Sequence, residues 1–184
     1  MKNVLYIHGF MSSPLSRKAE QTRLFIEKNY PEYTFHCPLL DVSPAIAISQ
    51  LEALIEINFE LTPGQTWYVL GSSLGGYYAS YLAEKYHLKV VLINPSVKPY
   101  NLLVGYIGEQ KSYYSSEILH VKASYMDDLK NIEQLNISKK NYLVMLQTGD
   151  EVLDYQEAEQ KYQNCQLIVE QGGDHSFINF QDHL

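Results

Sequence analysis

Short apolar, β-branched or aromatic runs recur along the chain at about residues 3 to 7, 33 to 38, 66 to 70, 89 to 94, 141 to 147 and 165 to 169. Each is long enough for a strand and no more, and helical periodicity fills most of the gaps between them. A parallel partner strand can be reached only by a crossover over one face of the sheet, so strands alternating with helices form βαβ units. The pattern predicts an α/β fold with a mainly parallel sheet covered on both faces. Ser13 with Pro14 and Ser43 with Pro44 read as helix starts, each a capping side chain followed by proline at the first helical position. Pro63 and Gly64 end the second helix. In the third, Gly75, Ala79 and Ala83 recur every four residues, a small-residue stripe that lets the helix backbone approach the sheet closely.

The connection from about residue 95 to residue 141 exceeds an ordinary crossover. Within it, Ser124 to Leu135 carries a helical pattern in Met126, Leu129, Ile132 and Leu135. The stretch before that helix holds Tyr100, Leu102, Leu103, Val104, Tyr106, Ile107, Tyr113 and Tyr114, apolar for a loop. Residues 98–118 are therefore expected to form a small lid over the site, the alternative being an irregular loop folded back on the core.

Composition narrows the picture. With 184 residues, 46% of them hydrophobic, and no linker-like stretch, the expectation is a single domain over residues 1–184. A formal charge of −7 and the lack of a Lys/Arg cluster argue against a nucleic-acid partner and favour small-molecule chemistry. No apolar run approaches the ~20 residues that span a bilayer, and the opening segment is too short for a signal peptide, so no membrane insertion and a cytoplasmic location are expected. Cys37 and Cys165 read as reduced structural thiols. The 16 tyrosines suit amphipathic packing, with a pocket-lining role for some; Tyr77, Tyr100, Leu103 and Tyr106 are the candidate substrate contacts. No motif fixes an oligomeric state.

The chemistry centres on Gly71-Ser72-Ser73-Leu74-Gly75, which begins where the apolar run Trp67 to Leu70 ends and a helical pattern starts. That is the setting of a G-x-S-x-G nucleophile elbow, with Ser73 on a strained turn and glycines where the flanking chain passes closely. Ser72 lacks the central position. A serine hydroxyl is a poor nucleophile at neutral pH and needs a histidine base, which in turn needs a carboxylate to fix its tautomer. His175 follows the last predicted strand in a Gly172-Gly173-Asp174-His175 loop. Asp150 closes the penultimate strand, completing the chain order Ser73, Asp150, His175. Among competing acids, Asp154 opens a capping box, Glu151 would point away from Asp150, and Asp174 reads as a loop carboxylate.

Two backbone donors are candidates for an oxyanion hole: the N–H of Leu74, just after the nucleophile, and that of Phe10, or else Met11, in the loop after the first strand. His8 is expected to tie that loop together. No P-loop or G-x-G-x-x-G motif appears, nor a metal spacing such as H-E-x-x-H, so neither cofactor nor metal is expected.

With Tyr6-Ile7-His8-Gly9-Phe10, the Gly71 to Gly76 elbow, Asn94-Pro95, Thr148-Gly149-Asp150-Glu151-Val152 and Gly173-Asp174-His175 in order, the chain resembles an α/β-hydrolase. More narrowly it resembles the YqiA-like bacterial esterases, from residue 2 to about residue 180. The resemblance implies a three-layer α/β/α, shortened α/β-hydrolase fold of about six strands in the order 2-1-3-4-5-6, without room for a large cap domain. It implies a nucleophile at Ser73, an acid at Asp150, a base at His175, and an oxyanion loop at Phe10 and Met11 opposite Leu74. The activity implied is hydrolysis of a small or flexible acyl ester, or of a thioester by the same triad, for which Lys98 and Lys111 are candidate cations toward acyl-CoA. A ligand- or partner-binding module without turnover is the reading from a different class.

Overall fold

The computed structural model describes residues 2–61, 64–111 and 118–184. Six strands form one sheet: β1 (Lys2–Ile7), β2 (Tyr33–His36), β3 (Thr66–Ser72), β4 (Lys89–Ile93), β7 (Tyr142–Gln147) and β8 (Gln166–Glu170). They lie in the order β2-β1-β3-β4-β7-β8, and every neighbouring pair is parallel. The six predicted strands and their order are those observed.

Side chains alternate across the sheet as a pleat requires. Val90 and Leu92 on β4, with Val144 and Leu146 on β7, enter a large core beneath α2 (Pro44–Leu61), α3 (Leu74–Tyr86), α5 (Tyr125–Asn131) and α6 (Tyr155–Lys161). Ile93 and Met145 point to the other face, where Ala19 of α1 (Arg17–Asn29) and the C-terminal Phe177 and Phe180 form a smaller core with Tyr6. Tyr6, Tyr77, Tyr78, Tyr142 and Tyr162 are buried, so much of the tyrosine excess is packing. Tyr142 shows the amphipathic form, its hydroxyl donating to Glu84 Oε1 at 2.7 Å from within the core. Cys37 and Cys165 are free, and burial, reinforced by Glu20, pushes the Cys37 thiol up to about 12.

Three local expectations are revised. Ser43 and Pro44 begin α2 as predicted, but α1 starts at Arg17, its N-cap Ser16 three residues beyond Ser13. Ser13 instead accepts from Leu15 N–H at 3.1 Å, a side chain to backbone turn that competes with helix initiation. The helix predicted to reach Leu135 ends at Asn131, leaving Leu135 83% exposed while Met126 and Leu129 are buried as expected. Residues 98–111 and 118 comprise a short helix α4 (Pro99–Leu103), a 3-10 turn (Val104–Tyr106), strand β5 (Gly108–Lys111) and the start of β6 (Ile118–Val121), which pairs antiparallel with β5. Tyr113 and Tyr114 lie outside the described residues, as does Pro63.

Candidate active site

The chain leaves β1 toward β2 on one side and leaves β3 toward β4 on the other, which opens a crevice at the carboxyl ends of these two neighbouring strands. In-register pairing sets Ile7 beside Gly71, so the loop after β1 lies against the turn after β3. Ser73 occupies that turn at φ 56° and ψ −122°, a conformation that costs a non-glycine residue about 1–3 kcal/mol. Surrounding bonds hold it there: Ser73 N–H donates to Ile93 O at 3.1 Å, and Ser73 O accepts from Ser96 N–H at 3.1 Å and Gly76 N–H at 3.0 Å. The glycines answer a steric demand. A Cβ on Gly71 would overlap the carbonyl of Gly75, and one on Gly75 would overlap the carbonyl of Ile7. The small-residue stripe of α3 thus brings its first turn against the end of β1.

Ser73 Oγ lies 3.0 Å from His175 Nε2, and His175 Nδ1 lies 2.8 Å from Asp150 Oδ2. The Asp150 side chain is 2% exposed and the His175 side chain 23%. Burial opposes the Asp150 charge, but hydrogen bonds from His175 and from the N–H groups of Leu153 and Val152 outweigh it and hold the carboxyl below its ordinary value. An ionised, oriented carboxylate behind an imidazole that faces a hydroxyl can accept, hold and return a proton at Ser73. Asp154 caps α6 by accepting from Gln156 N–H at 2.9 Å. Asp174 accepts from the Ser176 hydroxyl at 2.5 Å. Glu151 accepts from His175 N–H at 3.0 Å and so helps seat the histidine loop.

Two buried amides that sequence reasoning did not single out for this role hold the same loop. Gln147, 3% exposed at the end of β7, accepts from Asp174 N–H at 3.1 Å and Ile178 N–H at 2.8 Å. It also donates to Ile178 O at 2.9 Å and Glu170 Oε2 at 2.8 Å. Asn94, after β4, donates to Asp174 O at 3.0 Å and His175 O at 3.3 Å while accepting from Gln147 N–H at 2.9 Å. Asn94 within Asn94-Pro95 and a polar residue ending an apolar strand were the available signals. Leucine at position 147 would leave several loop groups unpaired, each worth about 1–3 kcal/mol where buried. Gln147→Leu is expected to lower stability by about 2–4 kcal/mol in urea titration. In the fraction that stays folded, loosening of the histidine loop should slow any ester turnover more than it weakens substrate binding.

Across the crevice, no acceptor among the described residues engages the backbone N–H of Leu74, Phe10 or Met11. His8 ties down the preceding turn, its Nδ1 3.0 Å from Gly9 O and its Nε2 accepting from Leu40 N–H at 3.3 Å. Burial lowers the His8 pKa, in keeping with a neutral ring. Gly9 lies directly over Ser73: an added Cβ would stand 3.2 Å from Ser73 Cβ and 3.7 Å from Ser73 Oγ. Gly9→Ala should therefore leave the unfolding midpoint near wild type but displace a bound carbonyl, lowering kcat/KM about 100-fold. Steady-state kinetics beside a melting curve separates these effects.

Two cavities flank the loop of residues 9 to 12. One, about 540 Å³, is mainly apolar and is lined by Phe10, Met11, Leu15, Leu40, Leu74 and Tyr78 among others. The second, about 560 Å³, contains Ser73 and His175 and is bounded by Arg17, Lys18, Glu151 and Asp174. Tyr77, Tyr100 and Leu103 line neither. Tyr77 is a core residue whose hydroxyl donates to Leu129 O at 2.8 Å, Tyr100 donates to Glu133 Oε2 at 3.1 Å, and Leu103 is buried in the large core. Tyr106 comes nearest, edge-on to Phe10 with ring centroids 5.5 Å apart. Lys98 and Lys111 line neither cavity. No group of three or more potential metal ligands occurs among the described residues, nor any helix long and apolar enough to cross a membrane.

A doubly covered parallel sheet with a strained serine after β3 and an acid and a histidine after β7 and β8 defines the chain as an α/β-hydrolase in fold. Solved structures agree. The Est1E structure from Butyrivibrio proteoclasticus with bound ferulic acid superposes with a TM-score of 0.76 at 15% identity, covering 100% of this chain and 84% of that one. Alpha/beta hydrolase domain-containing protein 10 from mouse gives 0.73 at 16% identity, covering 98% and 85%. The esterase domain of a Rhodothermus marinus protein gives 0.69 at 17%, covering 98% and 80%. The chain belongs to UPF0227, described as an uncharacterised protein family, whose model matches residues 3–184. It is 24% identical over 188 residues to the UPF0227 protein YcfP of Escherichia coli O9:H4, covering 98% of this chain and 94% of that protein. The corresponding protein of Salmonella arizonae is 25% identical with the same coverage.

Proposed function

We propose that this protein is a serine carboxylic-ester hydrolase working through an acyl-enzyme. The observation that carries the reading is the 3.0 Å approach of His175 Nε2 to Ser73 Oγ, with Nδ1 of the same ring on a buried, hydrogen-bonded carboxylate. Ser73 Oγ attacks the ester carbonyl as its proton passes to His175. The negative charge that develops on the carbonyl oxygen is met by Leu74 N–H and by Phe10 or Met11 N–H. The tetrahedral intermediate collapses as His175 protonates the departing alcohol. Water then enters, gives its proton to His175, attacks the acyl carbon, and releases the acid and Ser73. Phe10, Met11 and Leu74 carry these donors and also line the apolar cavity, which supports placing the acyl chain there. The 3-10 turn that carries Tyr106 and the strand β6 that carries Leu119 border the same region and would act as parts of a lid.

Two fold neighbours, the Rhodothermus marinus domain and Pf2001 of Pyrococcus furiosus, are named esterases, in line with an ester substrate. A binding module without turnover has no use for a serine held at φ 56° in contact with an imidazole. Hydrolysis of p-nitrophenyl esters and acyl-CoA thioesters of increasing chain length tests the proposal. Ser73-dependent turnover that rises and then falls with acyl length is expected. Turnover confined to the thioesters would make the protein a thioesterase using the same side chains, and none from folded protein would favour the binding module.

A further inference from the structure

The polar cavity has a cationic wall for which the reaction just described has no use. Arg17 and Lys18, adjacent at the start of α1, both line it beside Ser73 and His175. Among the described residues the Lys18 ammonium has one hydrogen-bond partner, donating to Ser176 O at 2.7 Å, which leaves two of its three N–H donors without one there. Arg17 has no hydrogen bond or ion pair among the described residues. The acids on this cavity are already engaged: Glu151 accepts from His175 N–H, and Asp174 from Ser176 Oγ. Neither lies within salt-bridge distance of Lys18 or Arg17 among the described residues. Burial, opposed by the nearby charges of Asp174 and Asp150, lowers the Lys18 pKa to about 8. Such a cation gains from an anionic partner.

The geometry also says which part of a substrate arrives there. The leaving oxygen must come within reach of His175 Nε2 to be protonated. His175 bounds the polar cavity and not the apolar one, so the alcohol departs into the space that Arg17 and Lys18 overlook. From this, and resting on the esterase reading above, we propose that the alcohol released from the natural ester carries an anionic group, a carboxylate or phosphate, bound by Lys18 and Arg17. The guanidinium suits a planar or tetrahedral oxyanion through paired N–H donors, and the ammonium adds a point charge.

A matched set of butyrate esters tests it: that of 4-hydroxybenzoate, whose leaving group is a carboxylate, that of 4-hydroxyphenyl phosphate, and the neutral ester of methyl 4-hydroxybenzoate. The ratio of kcat/KM for each anionic ester to the neutral one is the readout, compared between variants so that intrinsic leaving-group differences cancel. Lys18→Met and Arg17→Ala should each lower at least one anionic ratio by about tenfold, through KM, with the ratio in wild type shrinking as salt is added. The affected ratio tells carboxylate from phosphate. Lys18→Arg should restore part of the loss. Because Lys18→Met also removes a contact to the histidine loop, Arg17→Ala, which breaks no hydrogen bond, is the cleaner arm. Active enzyme whose ratios are the same in wild type and both variants would overturn the anion site and leave the esterase reading standing. If folded protein cleaves none of the esters, the esterase reading fails, and calorimetric binding of 4-hydroxybenzoate and 4-hydroxyphenyl phosphate to Ser73→Ala protein decides the site alone. Binding weakened by Arg17→Ala supports it, and absent or unweakened binding overturns it.

Discussion

Ser73→Ala is expected to remove ester turnover almost completely, by about 10⁶-fold in kcat, while the protein stays folded. The side chain lost is small, and what holds the turn is backbone: Ser73 N–H on Ile93 O and Ser73 O on Ser96 N–H survive the change. A second substitution at this position separates chemistry from strain. Ser73→Gly loses the same hydroxyl but accepts φ 56° without a Cβ penalty, so it should be as inactive as the alanine variant and about 1 kcal/mol more stable than wild type. The measurements are initial rates on p-nitrophenyl butyrate and urea midpoints for the three proteins. Residual turnover of a few per cent in the alanine variant would mean that another group attacks the substrate.

Asp150→Asn should cost up to about 10⁴-fold in kcat with little change in KM. An asparagine amide in that position can keep the imidazole in place, but it neither stabilises an imidazolium nor enforces the Nδ1–H tautomer. Asp154→Ala is the control: it removes a helix cap, is expected to lower stability by about 1 kcal/mol, and should keep near-normal activity. An Asp154 variant as inactive as Asp150→Asn would remove Asp150 from its proposed role. The same residue governs an acid-side effect. Its carboxyl titrates below the ordinary range in the folded chain, so its ionisation contributes full stability above about pH 4 and that contribution drains as pH falls through the lower folded value. Urea midpoints at about pH 6 and about pH 3 should therefore diverge more in wild type than in Asp150→Asn.

The sheet and the meeting of Ser73, Asp150 and His175 were legible because they leave local marks. A fully covered parallel strand is a short apolar run, and a nucleophile elbow demands glycines at fixed offsets from Ser73. Asp150 could be preferred to Asp154 because a capping box is itself a local pattern, and the structure finds Asp154 capping α6. What was not legible is held by tertiary contacts alone. The Gln147 side chain makes its hydrogen bonds to residues 23 to 31 positions away, and no periodicity announces them. Tyr77 follows the elbow closely, but one helical step decides whether a ring faces substrate or, as here, the carbonyl of Leu129. The β5 and β6 hairpin has an exposed, polar first strand, Gly108 to Lys111, whose burial supplies no alternation to detect. Arg17 and Lys18 stand near the polar cavity because α1 begins at Arg17, three residues later than its serine and proline signals suggested.

Ser73 and His175 are 102 positions apart, and the segment carrying His175 is secured by the amides of Asn94, after β4, and Gln147, on β7, and by Phe177 and Phe180 closing the smaller core. No early cluster of local contacts can bring that serine and histidine together. A chain that has paired β1, β3 and β4 already holds the strained turn at Ser73, yet no imidazole stands beside that hydroxyl until β8 has docked. Recovery of the proposed activity during refolding should thus lag recovery of secondary structure, and the serine meets its imidazole only in the molecule whose last strand is home.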